Sequence, residues 1–394
     1  MQKKRKVCVV VASRANYGRI RSVLSAVQAR EDLELQLIVG ASALLYRFGN
    51  VVELIEADGF KVTARIYSIV EGENLTTMAK SAGLGITELA THFENLEPDI
   101  VLTVADRFET ISTAIAASYM NIPVAHTQGG EVTGSIDESV RHAITKLSHI
   151  HLTTTALSSQ RVVQMGEHPD AVYRVGCPAL DVIKDIDLSL PRDFFRRAGG
   201  VGKHVDPTKP YLVVLQHPVT TEFGSGLEQI NETLEAVHDL DMQAVWLWPN
   251  VDAGSDDISK GLRLFINNTQ DSKVSFFRNF AVEDYARIIS NCACLVGNSS
   301  SAIREGAFLG VPAVNIGTRQ AGRERAANII DVPYEASAIR SAITAQISHG
   351  KYDSDHLYGD GLSGRRVAEI LATCPLGVQK TFYSGPIPEF AELQ

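Results

Sequence analysis

The run Cys292-Ala-Cys-Leu-Val296 passes directly into Gly297-Asn298-Ser299-Ser300-Ser301 and then into a stretch of helical character, Ala302 to Leu309, with Glu305 one turn in. A short apolar strand closed by glycine, then small hydroxyl residues, then a helix start predicts a βα unit whose turn presents free backbone N–H groups to an anion. A diphosphate suits such a seat. The helix end contributes only ~0.3–1 kcal/mol toward a phosphate, up to ~2 kcal/mol when partly buried, so further donors are required. Arg319, Arg323 and Arg325 follow within a few residues. The plainer alternative is that Asn298 or Ser299 simply caps a helix.

Outward from this turn the same pattern recurs. Short apolar runs rich in Val and Ile alternate with segments of helical period, which predicts α/β architecture with parallel sheets and crossover helices. Strands are expected at Lys6–Ala12, Leu33–Val39, Lys61–Ile66, Ile100–Val104, Pro123–His126 and His149–Thr153, with helices at Gly18–Ala29, Thr76–Leu96 and Phe108–Met120. A second series follows the Gly-, Pro- and charge-rich stretch Gly199 to Pro210, with strands at Tyr211–Gln216, Gln243–Trp248, Val274–Phe277, Cys294–Val296 and Ala313–Ile316. A chain of 394 residues exceeds the ~250–300 at which one core stops growing. Two Rossmann-like, doubly wound domains facing a cleft are therefore expected, residues 1–198 and 199–360. The last helix, Gly361 to Thr373 within 361–394, could pack on either. Such sheets bind ligands beyond the carboxyl ends of their strands. No GxGxxG follows either first strand, which argues against a redox dinucleotide.

Composition narrows the function. Hydrophobic residues make up 45% and charged residues 21%, as in ordinary globular proteins. A net charge of −9 and a pI near 5.7 argue against nucleic acid or anionic membrane as partner, and Lys3-Lys4-Arg5-Lys6 is the only basic cluster. Val7 to Ala12 is too short for a signal or membrane segment, and no run reaches 18 apolar residues, so a soluble cytoplasmic protein is expected. Cys8, Cys177, Cys292, Cys294 and Cys374 lack CxxC spacing and read as small hydrophobes, with Cys292 and Cys294 on one face of a strand.

Polar residues concentrate where strands end. They are Ser13-Arg14-Ala15-Asn16, Asp106-Arg107-Phe108-Glu109, His126-Thr127-Gln128-Gly129-Gly130-Glu131, Ser135-Ile136-Asp137-Glu138 with Arg141-His142, Gln216-His217-Pro218, and Trp248-Pro249-Asn250. Each has a plain structural alternative: Asp137 or Ser135 as a cap, Arg107 with Glu109 as a surface pair, His217 bonded to backbone. Jointly they oppose carboxylates to a histidine, arginines and an anion seat, a set suited to breaking a bond to phosphate.

Seven blocks in order carry a family resemblance: Ser13-Arg14-Ala15, Asp106-Arg107-Phe108-Glu109, His126 to Lys146 (HTQGGEVTGSIDESVRHAITK), Gln216 to Thr221 (QHPVTT), Pro249 to Gly254 (PNVDAG), Gly297 to Ser300 with Glu305, and Gly317 to Gln320 (GTRQ). The chain resembles the UDP-N-acetylglucosamine 2-epimerase family, in its hydrolysing branch. The resemblance implies a fold of the glycosyltransferase B type, a C-terminal helix crossing back to the first domain, and a homodimer or homotetramer. It implies a UDP-sugar substrate, no cofactor and no metal. Ser299, Ser300, Arg14 and His217 then grip the diphosphate with help from Arg319, while Glu305 accepts hydrogen bonds from the ribose and Arg278–Phe280 lies near uracil. Asp106, Glu131 and Asp137 are the sugar-side carboxylates and count with His217 as the catalytic set. Arg141 orients them, and Arg107 and Asn250 are polar contacts.

Many members of that family carry Glu where this chain has Gln128, and an amide cannot exchange a proton at neutral pH. Asp106 and Asp137 are therefore expected to divide the proton work, with Glu131 nearby and Gln128 limited to binding sugar. Rival readings are a non-hydrolysing epimerase, a glycosyltransferase of the same fold, and a sensor without catalysis. The substrate stands between UDP-N-acetylglucosamine and UDP-2,4-diacetamido-2,4,6-trideoxyglucose, on routes to sialic or legionaminic acid.

Overall fold

The computed structural model describes residues 3–46, 49–72, 74–105, 107–249, 254–269, 273–391 and 393. Asp106 and Asn250, both expected at the site, lie outside the described residues. The chain divides into two compact units: residues 1–131, 136–184 and 358–394 form unit 1, and residues 132–135 and 185–357 form unit 2.

Unit 1 is built on β1 (Arg5–Val11), β2 (Leu33–Gly40), β3 (Val62–Ile66), β4 (Ile100–Val104), β5 (Val124–Thr127), β6 (Ile150–Thr153) and β7 (Val172–Arg174). They form one parallel sheet in the order β3-β2-β1-β4-β5-β6-β7. Successive side chains of β1 point to opposite faces, and both faces are apolar because helices cover both. Val7, Val9 and Val11 pack under Ile20, Leu24 and Val27 of the helix Arg14–Gln28, while Cys8 and Val10 meet Leu89 and Phe93 of the helix Leu75–Leu96. Each fully buried aliphatic side chain contributes about 1.5–3 kcal/mol relative to exposure.

The C-terminal helix Ser363–Thr373 packs on Arg14–Gln28 within unit 1. A Cβ at Gly364 would lie 2.7 Å from the Ser22 carbonyl carbon, so only glycine permits this approach. The Asp181 carboxylate caps the helix by accepting from the N–H groups of Ser363 (3.0 Å) and Gly364 (2.6 Å).

Unit 2 contains β8 (Val201–Gly202), β9 (Tyr211–Leu215), β10 (Gln243–Leu247), β11 (Val274–Phe277), β12 (Cys294–Gly297), β13 (Ala313–Ile316) and β14 (Ile329–Val332). Their order is β14-β13-β12-β9-β10-β11-β8, parallel except for β8, which runs antiparallel at the edge. In both sheets the first long strand lies beside the fourth, β1 beside β4 and β9 beside β12. These are the points where strand order reverses, and in sheets of this kind ligands bind beyond the carboxyl ends there.

Three strands escape the sequence pattern. β7 and β8 are too short to show a period, and β14 is a half-exposed edge strand. The expected single helix Ala302 to Leu309 is corrected to two one-turn helices, Ser300–Ile303 and Glu305–Phe308, broken at Arg304. The cysteine pair is also corrected: Cys292 follows the helix Val282–Asn291, and only Cys294 stands in β12. All five cysteines are buried and unbridged, and burial pushes the Cys8 and Cys292 thiols up to about 12.

Candidate active site

At the switch point of unit 2, β12 ends on Gly297 with φ of 128°, where a Cβ would lie 2.1 Å from the Leu215 carbonyl oxygen. Glycine is obligatory there. The next residue, Asn298, is fully buried and reaches across to the end of β9. Its Oδ1 accepts from the His217 N–H at 2.7 Å, and its Nδ2 donates to the His217 carbonyl at 2.8 Å. Its own carbonyl accepts from Arg319 Nη1 (3.2 Å) and Gln320 Nε2 (2.9 Å). Asn298 thus gathers His217, Arg319 and Ser299 around one turn, a scaffolding role that the sequence reading assigned to no residue.

Ser299 caps the short helix that follows, accepting from Ser301 N–H at 3.3 Å, and the Tyr285 hydroxyl bonds Ser301 Oγ at 2.7 Å. A single turn aligns few peptide dipoles, so the helix end supplies less of the anion attraction than a long helix would. Side-chain cations must carry more. Arg325 is not one of them: it forks onto Asp331 at 2.6 and 2.9 Å and also donates to backbone carbonyls. Glu305 Oε2 is buried and meets no hydrogen-bond partner among the described residues. Phe280 is buried against Phe277 and Phe194, with ring centroids 5.0 and 5.8 Å away.

One piece of unit 2 comes from the first half of the chain. Gly134 N–H donates to the Arg319 carbonyl (3.0 Å), Thr221 Oγ1 donates to the Gly134 carbonyl (3.3 Å), and Arg323 Nε donates to the Val132 carbonyl (3.3 Å). A Cβ at Gly134 would lie 1.9 Å from the Thr318 carbonyl oxygen. Glu131 and Asp137 belong to unit 1 and bracket this segment in sequence.

At the switch point of unit 1, Ser13 caps the helix Arg14–Gln28, which begins four residues earlier than expected and sets Arg14 in its first turn. Burial lowers the pKa of that guanidinium. Asn16 ties the two strand ends together, accepting from Ala12 N–H (3.2 Å) and donating to the Val104 carbonyl (3.3 Å). Beyond the paired residues Val104 and Thr127, the next residue of each strand is left-handed: Ala105 at φ 60° and Gln128 at φ 63°. Each such non-glycine residue costs about 1–3 kcal/mol. His126 holds the strained turn by donating from Nε2 to the Ala105 carbonyl at 2.8 Å.

Arg107 and Glu109 form a buried pair at 3.1 Å, not the surface pair that was the alternative. Gln128 is buried, with Oε1 accepting from Arg19 (3.4 Å) and Nε2 donating to Cys177 Sγ (3.4 Å). Glu131 is buried and accepts from the Thr154 hydroxyl at 2.8 Å, while the fully buried Arg141 donates to the Glu131 carbonyl at 2.8 Å. Arg141 stands one turn beyond Asp137, the first residue of the helix Asp137–Leu147. Among the described residues no group of three or more His, Cys, Asp or Glu side chains could hold a metal ion, and no helix is long and apolar enough to cross a membrane.

A family model described as UDP-N-acetylglucosamine 2-epimerase matches residues 25–372. The chain belongs to the UDP-N-acetylglucosamine 2-epimerase family. Among curated epimerases, the UDP-N,N'-diacetylbacillosamine 2-epimerase (hydrolyzing) of Legionella pneumophila is 36% identical over 95% of this chain and 97% of its own. The GDP/UDP-N,N'-diacetylbacillosamine 2-epimerase (hydrolyzing) of Campylobacter jejuni is 31% identical over 83% and 84%. Among solved epimerase structures, that of Methanocaldococcus jannaschii UDP-GlcNAc 2-epimerase with UDP-GlcNAc and UDP aligns with a TM-score of 0.77. It covers 93% of this chain and 99% of its own at 16% identity, a likeness of fold. The two doubly wound sheets are thus those of the glycosyltransferase B type expected from the sequence.

Proposed function

We propose that this chain is a hydrolysing UDP-2-acetamidosugar 2-epimerase. The observation that carries the reading is the turn built on Asn298, which gathers His217, Ser299 and Arg319 at a strand-order switch point. The Glu305 carboxylate oxygen, without a hydrogen-bond partner among the described residues, suits a ribose hydroxyl. The two relatives named as hydrolyzing enzymes support that branch.

In this reading Ser299, Ser300, His217, Arg319 and Arg14 grip the diphosphate, and Phe280 lies toward uracil. The C2–H bond of a 2-acetamidosugar is barely acidic, so departure of the diphosphate from C1 must lead. A carboxylate takes the C2 proton as the C1–O bond breaks, giving a 2-acetamidoglycal and UDP. Water then adds its oxygen to C1 while C2 receives a proton on the opposite face, releasing the free manno-configured sugar. Asp106 and Asp137 divide these proton transfers. Gln128, already engaged by Arg19 and Cys177, positions the sugar without exchanging a proton. Supply of amino-sugar for sialic- or legionaminic-type acids, a homodimer or homotetramer, and a cytoplasmic place complete the proposal.

Incubation with each UDP-sugar in deuterated water tests it. Release of UDP together with free manno-sugar carrying deuterium at C2 is expected. Release without label at C2 refutes the mechanism, as does near-normal turnover in both Asp106→Asn and Asp137→Asn.

A further inference from the structure

Behind Ser299 runs a chain of hydroxyl groups, all within unit 2. Tyr285 stands in the helix Val282–Asn291, where its ring packs on the apolar cluster that includes Phe277, Phe280 and Leu295. Its hydroxyl lies 2.7 Å from Ser301 Oγ, and Ser301 Oγ lies 3.0 Å from Ser299 Oγ. Ser301 is buried, whereas Ser299, at the end of the chain, is half-buried. A hydroxyl carries one proton and two lone pairs, so the direction of such a chain follows from counting. Ser299 Oγ accepts from the Ser301 hydroxyl at 3.0 Å and from the Ser301 N–H at 3.3 Å, which fills both lone pairs. Ser301 spends its own proton on Ser299, so Tyr285 is the donor at 2.7 Å. The reverse direction would strand the Tyr285 proton, because Ser301 Oγ is the hydroxyl's one hydrogen-bond partner among the described residues. Burial, with the Glu305 charge adding to it, raises the phenol above its ordinary pKa, so Tyr285 keeps its proton and stays a donor.

With both lone pairs filled, Ser299 has only its proton left to offer, and no group among the described residues accepts it. We propose that Tyr285 and Ser301 are positioning residues of the diphosphate grip, and that the hydroxyl chain running from Tyr285 through Ser301 makes Ser299 a one-way donor to a phosphoryl oxygen. The inference rests on the epimerase reading, which takes Ser299 as a ligand of the diphosphate. An ionised phosphoryl oxygen only accepts, so a serine that can only donate matches it. A serine with a vacant lone pair could instead turn its oxygen toward the anion or hold a water there. Hydrogen bonds in series also polarise one another, so the two inner bonds strengthen the outermost one.

The test measures UDP dissociation constants by calorimetry for the full native chain, Tyr285→Phe, Ser299→Ala and the two substitutions combined. Phenylalanine keeps the ring in the apolar cluster and removes the hydroxyl alone. Ser299→Ala is expected to weaken UDP roughly tenfold or more, the worth of a hydrogen bond to a charged group. Tyr285→Phe is expected to weaken it about three- to tenfold, as for side chains coupled in one hydrogen-bond network. In the Ser299→Ala background the same change should alter the affinity less than about 1.5-fold, because the chain then has no last donor. Uridine, which lacks the diphosphate, should bind all four proteins alike in saturation-transfer NMR. A loosened fold would weaken uridine too and would persist in the combined variant. Loss of UDP affinity in Ser299→Ala but not in Tyr285→Phe, an equal effect of Tyr285→Phe in both backgrounds, or equal losses for UDP and uridine overturns the hydroxyl chain and leaves the diphosphate reading standing. Unchanged UDP affinity in Ser299→Ala overturns both.

Discussion

Asn298 holds both backbone polar groups of His217, its amide oxygen taking the N–H at 2.7 Å and its amide nitrogen giving to the carbonyl at 2.8 Å. Because Asn298 is fully buried, loss of its side chain strands a donor and an acceptor away from water, at about 1–3 kcal/mol each. Asn298→Ala is expected to lower unfolding free energy by about 2–4 kcal/mol in chemical denaturation and to weaken UDP at least tenfold in calorimetry. Asn298→Asp keeps the acceptor and should fall between. UDP binding unchanged in Asn298→Ala would sink the role of this turn.

The arginines near the turn should separate. Arg325 is occupied by Asp331, whereas Arg319 reaches the Asn298 carbonyl. Arg319→Ala is expected to weaken UDP more than tenfold and to reduce the salt dependence of binding. Arg325→Ala should cost thermal stability while leaving UDP affinity within about threefold, as loss of a half-exposed pair away from the ligand would.

Glu305 should report on the sugar of the nucleotide. A hydrogen bond to a charged group is worth about 1.5–3 kcal/mol, roughly ten- to hundredfold in affinity. The native chain is expected to prefer UDP to 2′-deoxy-UDP by that margin, and Glu305→Ala should erase the preference. A preference that survives the substitution refutes the contact.

Gly134 leaves no space for a side chain beside the Thr318 carbonyl. Gly134→Ala is expected to displace residues 132–135 and, with them, the flanking Glu131 and Asp137. The prediction is a loss of kcat of a hundredfold or more with a smaller loss of UDP affinity, since the Thr318–Arg319 backbone meets the same segment. Equal losses in both would mean that the segment serves UDP binding alone.

Acid should weaken unit 1 through a buried cluster. Burial alone would raise the pKa of Glu167, but His151, Lys146 and Lys380 bond to it and hold it down at about 2. Lys380 also donates to the carbonyls of Lys146 (2.8 Å) and Ser148 at the end of the helix that begins with Asp137. With its folded value below its unfolded one, Glu167 contributes fully above about pH 4.5 and loses that contribution as pH falls toward about 2. Burial holds His151 below its ordinary 6.5, so the folded chain resists a proton that the unfolded chain accepts, and stability begins to drop below that pH. The melting midpoint should therefore begin to fall below about pH 6.5 and fall further between about pH 4.5 and pH 2, and Glu167→Gln should flatten that lower part of the curve. A flat native profile excludes the cluster as a titrating element.

Much of the scaffold was legible because hydrophobic period is a local property. Ile100–Val104, Val274–Phe277 and Ala313–Ile316 coincide with their expected bounds, and the other long strands shift by one or two residues. Strands without an inward face to mark them, such as Val201–Gly202, left no trace. At the site, residue type pointed to the right turns but not to the partners. Asn298 looks like any helix cap, and nothing in the run Arg319 to Arg325 shows that Asp331 engages the last arginine.

The amino-acid order by itself determined two doubly wound sheets, the polar residues at their strand ends, and the family resemblance, since each depends on spacing within a few dozen residues. Only the tertiary structure decided that Asn298 clasps His217, that the helix after Ser299 breaks at Arg304, that Arg107 and Glu109 pair away from water, and that residues 132–135 join the second unit. The physical reason is that a buried hydrogen bond or ion pair is chosen by which groups the packed core brings within about 3 Å, and that choice leaves no period in the sequence.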